Sequence, residues 1–302
     1  RARDRPGQAG ALNHLGILHQ LAGDFQAAAA SLTQAEELYR GLGDRPGQAR
    51  VLCQLAFLRS LAGDYPAAIT ISRRALAVAC GSGDRLSRAG ALNCLGMVQR
   101  LTGDYPAAAA SQRQALGLFR DLGYRVGEAD ALCDLGAVQH DTGDYPAAAA
   151  SLQQALALFR DLGYRLGEAW ALGGLGAVQQ ETGDHRAAAA SLQHALKLYH
   201  DLGHQLGQAE ALNRLGELSS ATSATRQARE RHTQALAIAR DFGVPLEEAR
   251  ALQGIGHSHL RDGNHGDGDT RLRQALAIYQ RIGAPGALRV QQTLLSHPVR
   301  TS

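Results

Sequence analysis

Lysine is nearly missing from this chain: Lys197 is the only one in 302 residues. A phosphate loop needs Gly-x-x-x-x-Gly-Lys-[Ser/Thr], and no such run occurs, so nucleotide chemistry of that kind is excluded. Cysteine is scarce as well. Cys53, Cys80, Cys94 and Cys133 form no CxxC pair and fall inside helical patterns, which argues against a zinc site or a disulfide framework. They read as reduced, small core or groove residues of a cytoplasmic protein. No apolar run approaches the length of a membrane span, and the first residues lack the apolar region of a signal peptide, so no membrane partner is expected. Charge of one sign is also lacking. The formal net charge is +3 and the acids and arginines are interleaved, which leaves no electrostatic footprint for direct nucleic-acid binding. Arginine supplies nearly all the positive charge and alanine and glycine abound, as in GC-rich bacterial coding. The sole Met is Met97, and the chain opens in full phase with Arg5-Pro6-Gly7-Gln8-Ala9, echoed at Arg45-Pro46-Gly47-Gln48-Ala49. It reads as a domain of a longer protein.

What is present is a repeat. Leu12, Leu52, Leu92, Leu132, Leu172, Leu212 and Leu252 recur every forty residues without insertion or deletion. Three residues on stand Leu15, Leu55, Leu95, Leu135, Leu175, Leu215 and Ile255, and three before stand Ala9, Ala49, Ala89, Ala129, Ala169, Ala209 and Ala249. That spacing predicts one apolar face of an amphipathic helix, A. Gly-Asp pairs from Gly23-Asp24 to Gly183-Asp184 predict a stop, where glycine takes positive φ, and an aspartate cap for a second helix, B. Pro66, Pro106 and Pro146 fall in the first turn of B, and Gly43 and its equivalents end it. Gly16, Gly96, Gly136, Gly176, Gly216 and Gly256 predict close approach of A to B. One hairpin cannot bury both its faces, so neighbours complete each unit.

The Leu15-Gly16, Ala28 and Ala35 positions resemble those of the tetratricopeptide repeat, with forty residues per unit in place of the usual thirty-four. The resemblance implies an all-α fold: an α-solenoid, a right-handed superhelix of seven helix-turn-helix units. Their bounds are 5–44, 45–84, 85–124, 125–164, 165–204, 205–244 and 245–284, with a capping helix in 285–297, all in one domain spanning 1–302. The wording of the repeats looks most like the C-terminal repeat domain of Streptomyces antibiotic regulatory proteins and of nucleotide-switch signalling ATPases. Such a domain implies a protein-interaction and sensing module of a bacterial transcriptional regulator. Its partner is a protein, a peptide or another domain of the same chain. The alternative is a receptor for a small molecule or signal peptide.

Catalytic chemistry is not found. No Ser, His and Asp or Cys and His set can be assembled, so an enzyme is not expected, nor any cofactor. A calcium loop starting at Asp262 would need an acid where Arg273 stands, so Asp262 to Asp269 reads as a degenerate polar turn. In the sixth unit Ser223-Ala224 replaces Gly-Asp, and Ser223 or Thr222 is expected to cap. No cap precedes Arg1, which fits either a trimmed chain or an exposed N-terminal edge that self-associates.

In the fold the resemblance implies, A helices line the concave face. The registers that vary along it fit a binding surface and plain solvent exposure alike. Trp170, the only tryptophan, occupies a register otherwise small or charged. Gly173, Gly174 and Ala177 are expected to leave a bare strip beside it. Asp130, Cys133, Asp134 and His140 come from the unit before, Gln180 from its own helix, and Glu210, Asn213, Arg214, Glu217 and Arg250 from the units after. An aromatic wall, an open floor and a charged rim would seat an apolar side chain of a peptide. The competing reading has Trp170 packing against a neighbouring A helix.

Overall fold

In the computed structural model, residues 4–296 are described, and they form fifteen α-helices with no strand among them. Seven hairpins follow one another: α1 (Arg5–Leu21) with α2 (Phe25–Leu42), α3 (Arg45–Leu61) with α4 (Tyr65–Ser82), α5 (Arg85–Leu101) with α6 (Tyr105–Asp121), and α7 (Arg125–Asp141) with α8 (Tyr145–Asp161). Then come α9 (Arg165–Glu181) with α10 (His185–Asp201), α11 (Gln205–Ala221) with α12 (Thr225–Asp241), and α13 (Pro245–Arg261) with α14 (His265–Ile282); α15 (Gly286–Ser296) packs on α14. The all-α repeat solenoid is thus the fold. Arg1 and the last residue of the expected cap, His297, lie outside the described residues.

Local chemistry makes each hairpin. Gly23, Gly63, Gly103, Gly143 and Gly183 all take φ between 78° and 85°, a conformation a Cβ would oppose. The aspartate that follows each accepts a hydrogen bond from the backbone N–H three residues on, as Asp24 does from Ala27 at 2.9 Å. At the other end Gly43, Gly83, Gly123, Gly163, Gly203, Gly243 and Gly283 reverse the chain with the same sign of φ. In the sixth hairpin Ser223 adopts φ 62° in place of glycine, and α12 has no side-chain cap. The expected cap from Ser223 or Thr222 does not form: the Thr222 hydroxyl donates backward to the carbonyls of Leu218 and Ser219. The expected polar turn at Asp262 to Asp269 is also corrected. The turn is over by Asn264, and Gly266 to Asp269 are already the first turns of α14.

The chain divides into two compact units, one up to Val138 and one from Gln139. In the first, α2 lies between α1 and α3, so that Ala28, Leu32, Ala35 and Tyr39 share one core with Ala9, Val51, Leu55 and Leu58. The second repeats the arrangement, with Ala188 and Leu192 of α10 against Leu215 and Leu218 of α11. Glycine sets the closeness: a Cβ on Gly16 would lie 2.6 Å from Leu32, and one on Gly176 would lie 2.5 Å from Leu192. A helices of successive hairpins also touch, α3 with α5 in the first unit and α9, α11 and α13 in series in the second. Polar links recur beside the core. Gln99 accepts from Ser111, Gln139 from Ser151 and Gln179 from Ser191, each at 2.8 Å, tying A to B within a hairpin. The stripe of α1 is the exception to burial, with Leu15 and Leu18 42% and 61% exposed where Leu55 and Leu58 are buried. No helix of the described residues is long and apolar enough to cross a membrane.

Candidate binding surface

The variable registers of the A helices are mostly half-buried. One offset governs how adjacent A helices meet: Asn93 of α5 donates to Asp134 of α7 at 3.0 Å, and Cys94 of α5 lies 3.6 Å from the Cys53 carbonyl of α3. A position on one helix therefore faces the position forty-one residues away on the next.

The first unit carries an acidic pair on a single A helix. Asp130 and Asp134 lie one turn apart on α7, with Cys133 half-buried between them. Burial, aided by the Asp134 charge, pushes the Asp130 carboxyl up to about 7. Burial likewise raises Asp134 to about 6, against the pull of the Arg100 guanidinium and the hydrogen bonds from Asn93 and Gln112. Oδ1 of Asp130 is buried and has no hydrogen-bond partner. These carboxyls change charge near neutral pH.

The second unit holds the remaining candidates. Trp170 on α9 is 36% exposed. Its ring meets Tyr164 edge-on, centroids 6.0 Å apart and planes at 85°, and Tyr164 in turn meets the buried ring of Phe159 at 5.6 Å. Tyr164, at the N-cap of the tryptophan's own helix, is thus a ring that steadies it, a contact the sequence reading did not anticipate. The expected bare strip is narrower than three residues. Nothing lies within 4 Å of a Cβ built on Gly173, but one on Gly174 would come 2.7 Å from Leu152, and Ala177 is buried. Gly174 is therefore a packing glycine, and Gly173 alone is open beside the indole. Gln180 is half-buried near the end of α9. His140 lies beside the Tyr145 ring at 5.8 Å, with Nδ1 3.3 Å from Asp141.

On α11 and α13 the charges are paired. Glu210 accepts from Arg214 at 3.0 Å, and Arg250 donates to Glu247 at 2.9 Å. The Glu247 charge, first among several, holds Arg250 above the usual arginine range, while burial drives Glu247 itself up. Glu217 is exposed, makes no ion pair among the described residues, and adds its field to both guanidiniums. Asn213, expected on the binding face, is buried instead: its Nδ2 donates to the Glu247 backbone and carboxylate at 3.1 and 3.0 Å, and its Oδ1 faces His232.

Glu247, Tyr164, His232 and Tyr279, whose hydroxyl donates to Gln253 at 3.0 Å, were not singled out from sequence. Two carried a signal. Glu247 stands where Gly7, Gly47, Gly127, Gly167 and Gly207 stand in other units, and His232 where Leu32, Leu152, Leu192 and Leu272 stand. Of the cysteines read as core or groove residues, Cys80 is exposed on α4. No cluster of three or more His, Cys, Asp or Glu among the described residues is arranged to hold a metal.

A family model described as tetratricopeptide repeat matches residues 7–80, 87–161, 152–201 and 167–241. No curated protein matches the chain in sequence. Among solved structures, the Rap conjugation gene regulator of the plasmid pLS20, in complex with the Phr* peptide, superposes with a TM-score of 0.73 at 14% identity over 96% of this chain and 76% of that one. A Rap protein complexed with competence and sporulation factor gives 0.69 at 13% identity, over 96% and 86%. A signal transduction ATPase with numerous domains and a tetratricopeptide repeat sensor, from Pyrococcus horikoshii, gives 0.54 at 16% identity, over 95% of this chain and 42% of its own. At these identities the likeness is one of fold.

Proposed function

The chain belongs to the tetratricopeptide repeat family, and from that premise we propose that it is the peptide- or protein-binding module of a bacterial regulator, taking its partner on the A-helix face of the second unit. The observation that carries this is Trp170. A large aromatic stands 36% exposed, braced edge-on by Tyr164 and bordered by open space at Gly173. Rigid aromatics beside a cleared position are the usual anchors of recognition, since they offer much apolar area for little lost rotamer freedom. The ion pairs of Glu210 with Arg214 and Glu247 with Arg250 border it with groups already neutralised, and exposed Glu217 favours a basic residue in the ligand. The Rap structures, one of them in complex with the Phr* peptide, share the fold and support the same class of partner. A transcriptional or nucleotide-switch context fits the wording of the repeats.

Because Trp170 is the only tryptophan, its fluorescence reports on this face without a label. A random-peptide display library selected on the full chain is expected to yield binders that shift the emission, and Trp170→Ala is expected to weaken them by roughly 30-fold, the scale of a hot-spot aromatic. Equal affinity for the Trp170→Ala chain would remove the face from the function. A shift produced by small metabolites while no peptide is enriched would favour the small-ligand alternative.

A further inference from the structure

Two thiols in the first unit take no part in the proposed surface. Cys53 on α3 is half-buried and Cys94 on α5 is buried, and the two helices touch. The forty-one-residue offset that pairs Asn93 with Asp134 brings these two side chains together: Cys94 Sγ lies 3.6 Å from the Cys53 carbonyl, and the two thiols are within hydrogen-bonding reach of each other. Core packing does not demand cysteine here. The register of Cys53 holds Asn13, Asn93, Cys133, Gly173, Asn213 and Gln253 elsewhere, and that of Cys94 holds His14, Gln54, Asp134, Gly174, Arg214 and Gly254. Only on α3 and α5 do the facing positions both carry sulfur.

We propose that Cys53 and Cys94 are a peroxide-sensitive modification site that closes to a disulfide, stapling α3 to α5. The roles follow from access. Half-buried Cys53 meets the oxidant: its sulfur takes one oxygen of the peroxide as the O–O bond breaks, giving a sulfenic acid and releasing an alcohol, or water where the oxidant is hydrogen peroxide. Cys94 then attacks the sulfenic sulfur, the S–S bond forms, and the departing hydroxide leaves as water with the Cys94 proton. Two thiols and one peroxide give one disulfide, one alcohol and one water. The hydrogen bond to Cys53, together with burial, holds the Cys94 thiol protonated, which leaves the first reaction with the oxidant to Cys53; Cys94 gives up its proton only as it attacks the sulfenic sulfur. Cys80 lies on a B helix facing solvent, where its oxidation would join separate molecules.

The test is made on the full chain carrying Cys80→Ser, which removes that route between molecules. Stoichiometric hydrogen peroxide is expected to consume two of the three remaining thiols and to yield a peptide pair linked through Cys53 and Cys94, reversed by dithiothreitol. The oxidised chain is expected to melt at a higher temperature in its first unit, since the staple closes a loop of about forty residues in the unfolded chain. Adding Cys53→Ser is expected to abolish the link, and adding Cys94→Ser is expected to leave Cys53 as a sulfenic acid that a dimedone probe captures. A map showing Cys53 joined to Cys133, Cys53 oxidised to sulfinic acid beside a reduced Cys94, or all three thiols still free would overturn the proposal. Because the map is read on a chain with both cysteines intact, poor folding of the serine variants does not blunt it.

Discussion

A methyl group on Gly167 would come within 2.3 Å of the Phe159 ring, which is wholly buried at the end of the preceding B helix. Six residues further along α9, the same methyl group on Gly173 would meet nothing within 4 Å. Two glycines of one helix therefore serve opposite ends. Gly167→Ala is expected to cost about 1–3 kcal/mol through forced displacement of the ring, while Gly173→Ala is expected to stabilise by up to about 1 kcal/mol through helix propensity. Urea midpoints of the two variants check this, and a loss of stability in Gly173→Ala would mean that the open strip beside Trp170 is filled.

Ser223 holds a left-handed conformation at φ 62° in the place where the other six hairpins use glycine, and Ala224 follows it where five of them use a capping aspartate. A Cβ in that region costs about 1–2 kcal/mol, and a missing cap costs about 1 kcal/mol. Ser223→Gly and Ala224→Asp are each expected to raise the melting temperature, and their gains to be nearly additive only if backbone and cap are independent. A lower melting temperature for Ser223→Gly would show that the serine side chain itself stabilises the turn.

The pattern of apolar residues sufficed for the hairpins because each A and B helix repeats the same stripe, and periodicity survives the loss of any one residue. Even a long-range pairing was written there. Where a B helix ends in an aromatic, as at Tyr39, Phe119, Phe159 and Tyr199, the next A helix offers Gly47, Gly127, Gly167 or Gly207; where it offers Ala79 or Ala239, the glycine gives way to Ser87 or Glu247. The candidate surface was less legible. Gly173 and Gly174 look alike in sequence, yet only Gly174 faces Leu152, a difference of one helical step of about 100°. Asn213 looked like a groove residue because its register varies among Asn, Cys, Gly and Gln, but His232 and Glu247, both departures from consensus, take up its side chain. Burial of a polar side chain depends on partners from other helices, which no single register reveals.

Asp130 and Asp134 give the first unit an unusual response to acid. Their folded-state carboxyls stand near 7 and 6, against about 3.9 in an unfolded chain. Between those limits the folded state binds more protons than the unfolded one, so stability falls as pH rises from about 4 through 7. Asp130→Asn removes the more strongly shifted charge and is expected to stabilise the chain at pH 7.5 by up to roughly 4 kcal/mol, the linkage limit for its shift. It is expected to make little difference at pH 4.5. Hydrogen exchange of α5 to α7 at the two pH values checks this, and equal protection of wild type and variant at pH 7.5 would show that the Asp130 charge is not destabilising.

His232 gives the second unit the opposite response. Its imidazole is 1% exposed at a register where four other hairpins have leucine, and Gly216 and Gly254 leave it room. Burial, seconded by His257, lowers it to about 4. Nδ1 lies 3.0 Å from Asn213 Oδ1, a hydrogen-bond acceptor, so the neutral ring carries its proton there. An unfolded histidine takes up its proton near 6.5 and the folded one only near 4, so the unfolded state binds more protons in that window. Stability contributed by the neutral ring is therefore complete above about 6.5 and is lost as pH falls toward 4, by about 3 kcal/mol from the size of the shift. Glu247, whose carboxyl burial raises, works against this in the same unit, so the wild-type slope alone does not isolate the histidine. His232→Gln keeps a group able to donate to Asn213 but does not titrate, and the difference between the two chains is then the contribution of the imidazole. Hydrogen exchange of α11 and α12 is expected to show wild type losing protection between pH 7 and 5 while the glutamine variant loses less. If both lose protection alike, the buried imidazole is not what acid attacks, and the neutral state of His232 beside Asn213 would have to be withdrawn.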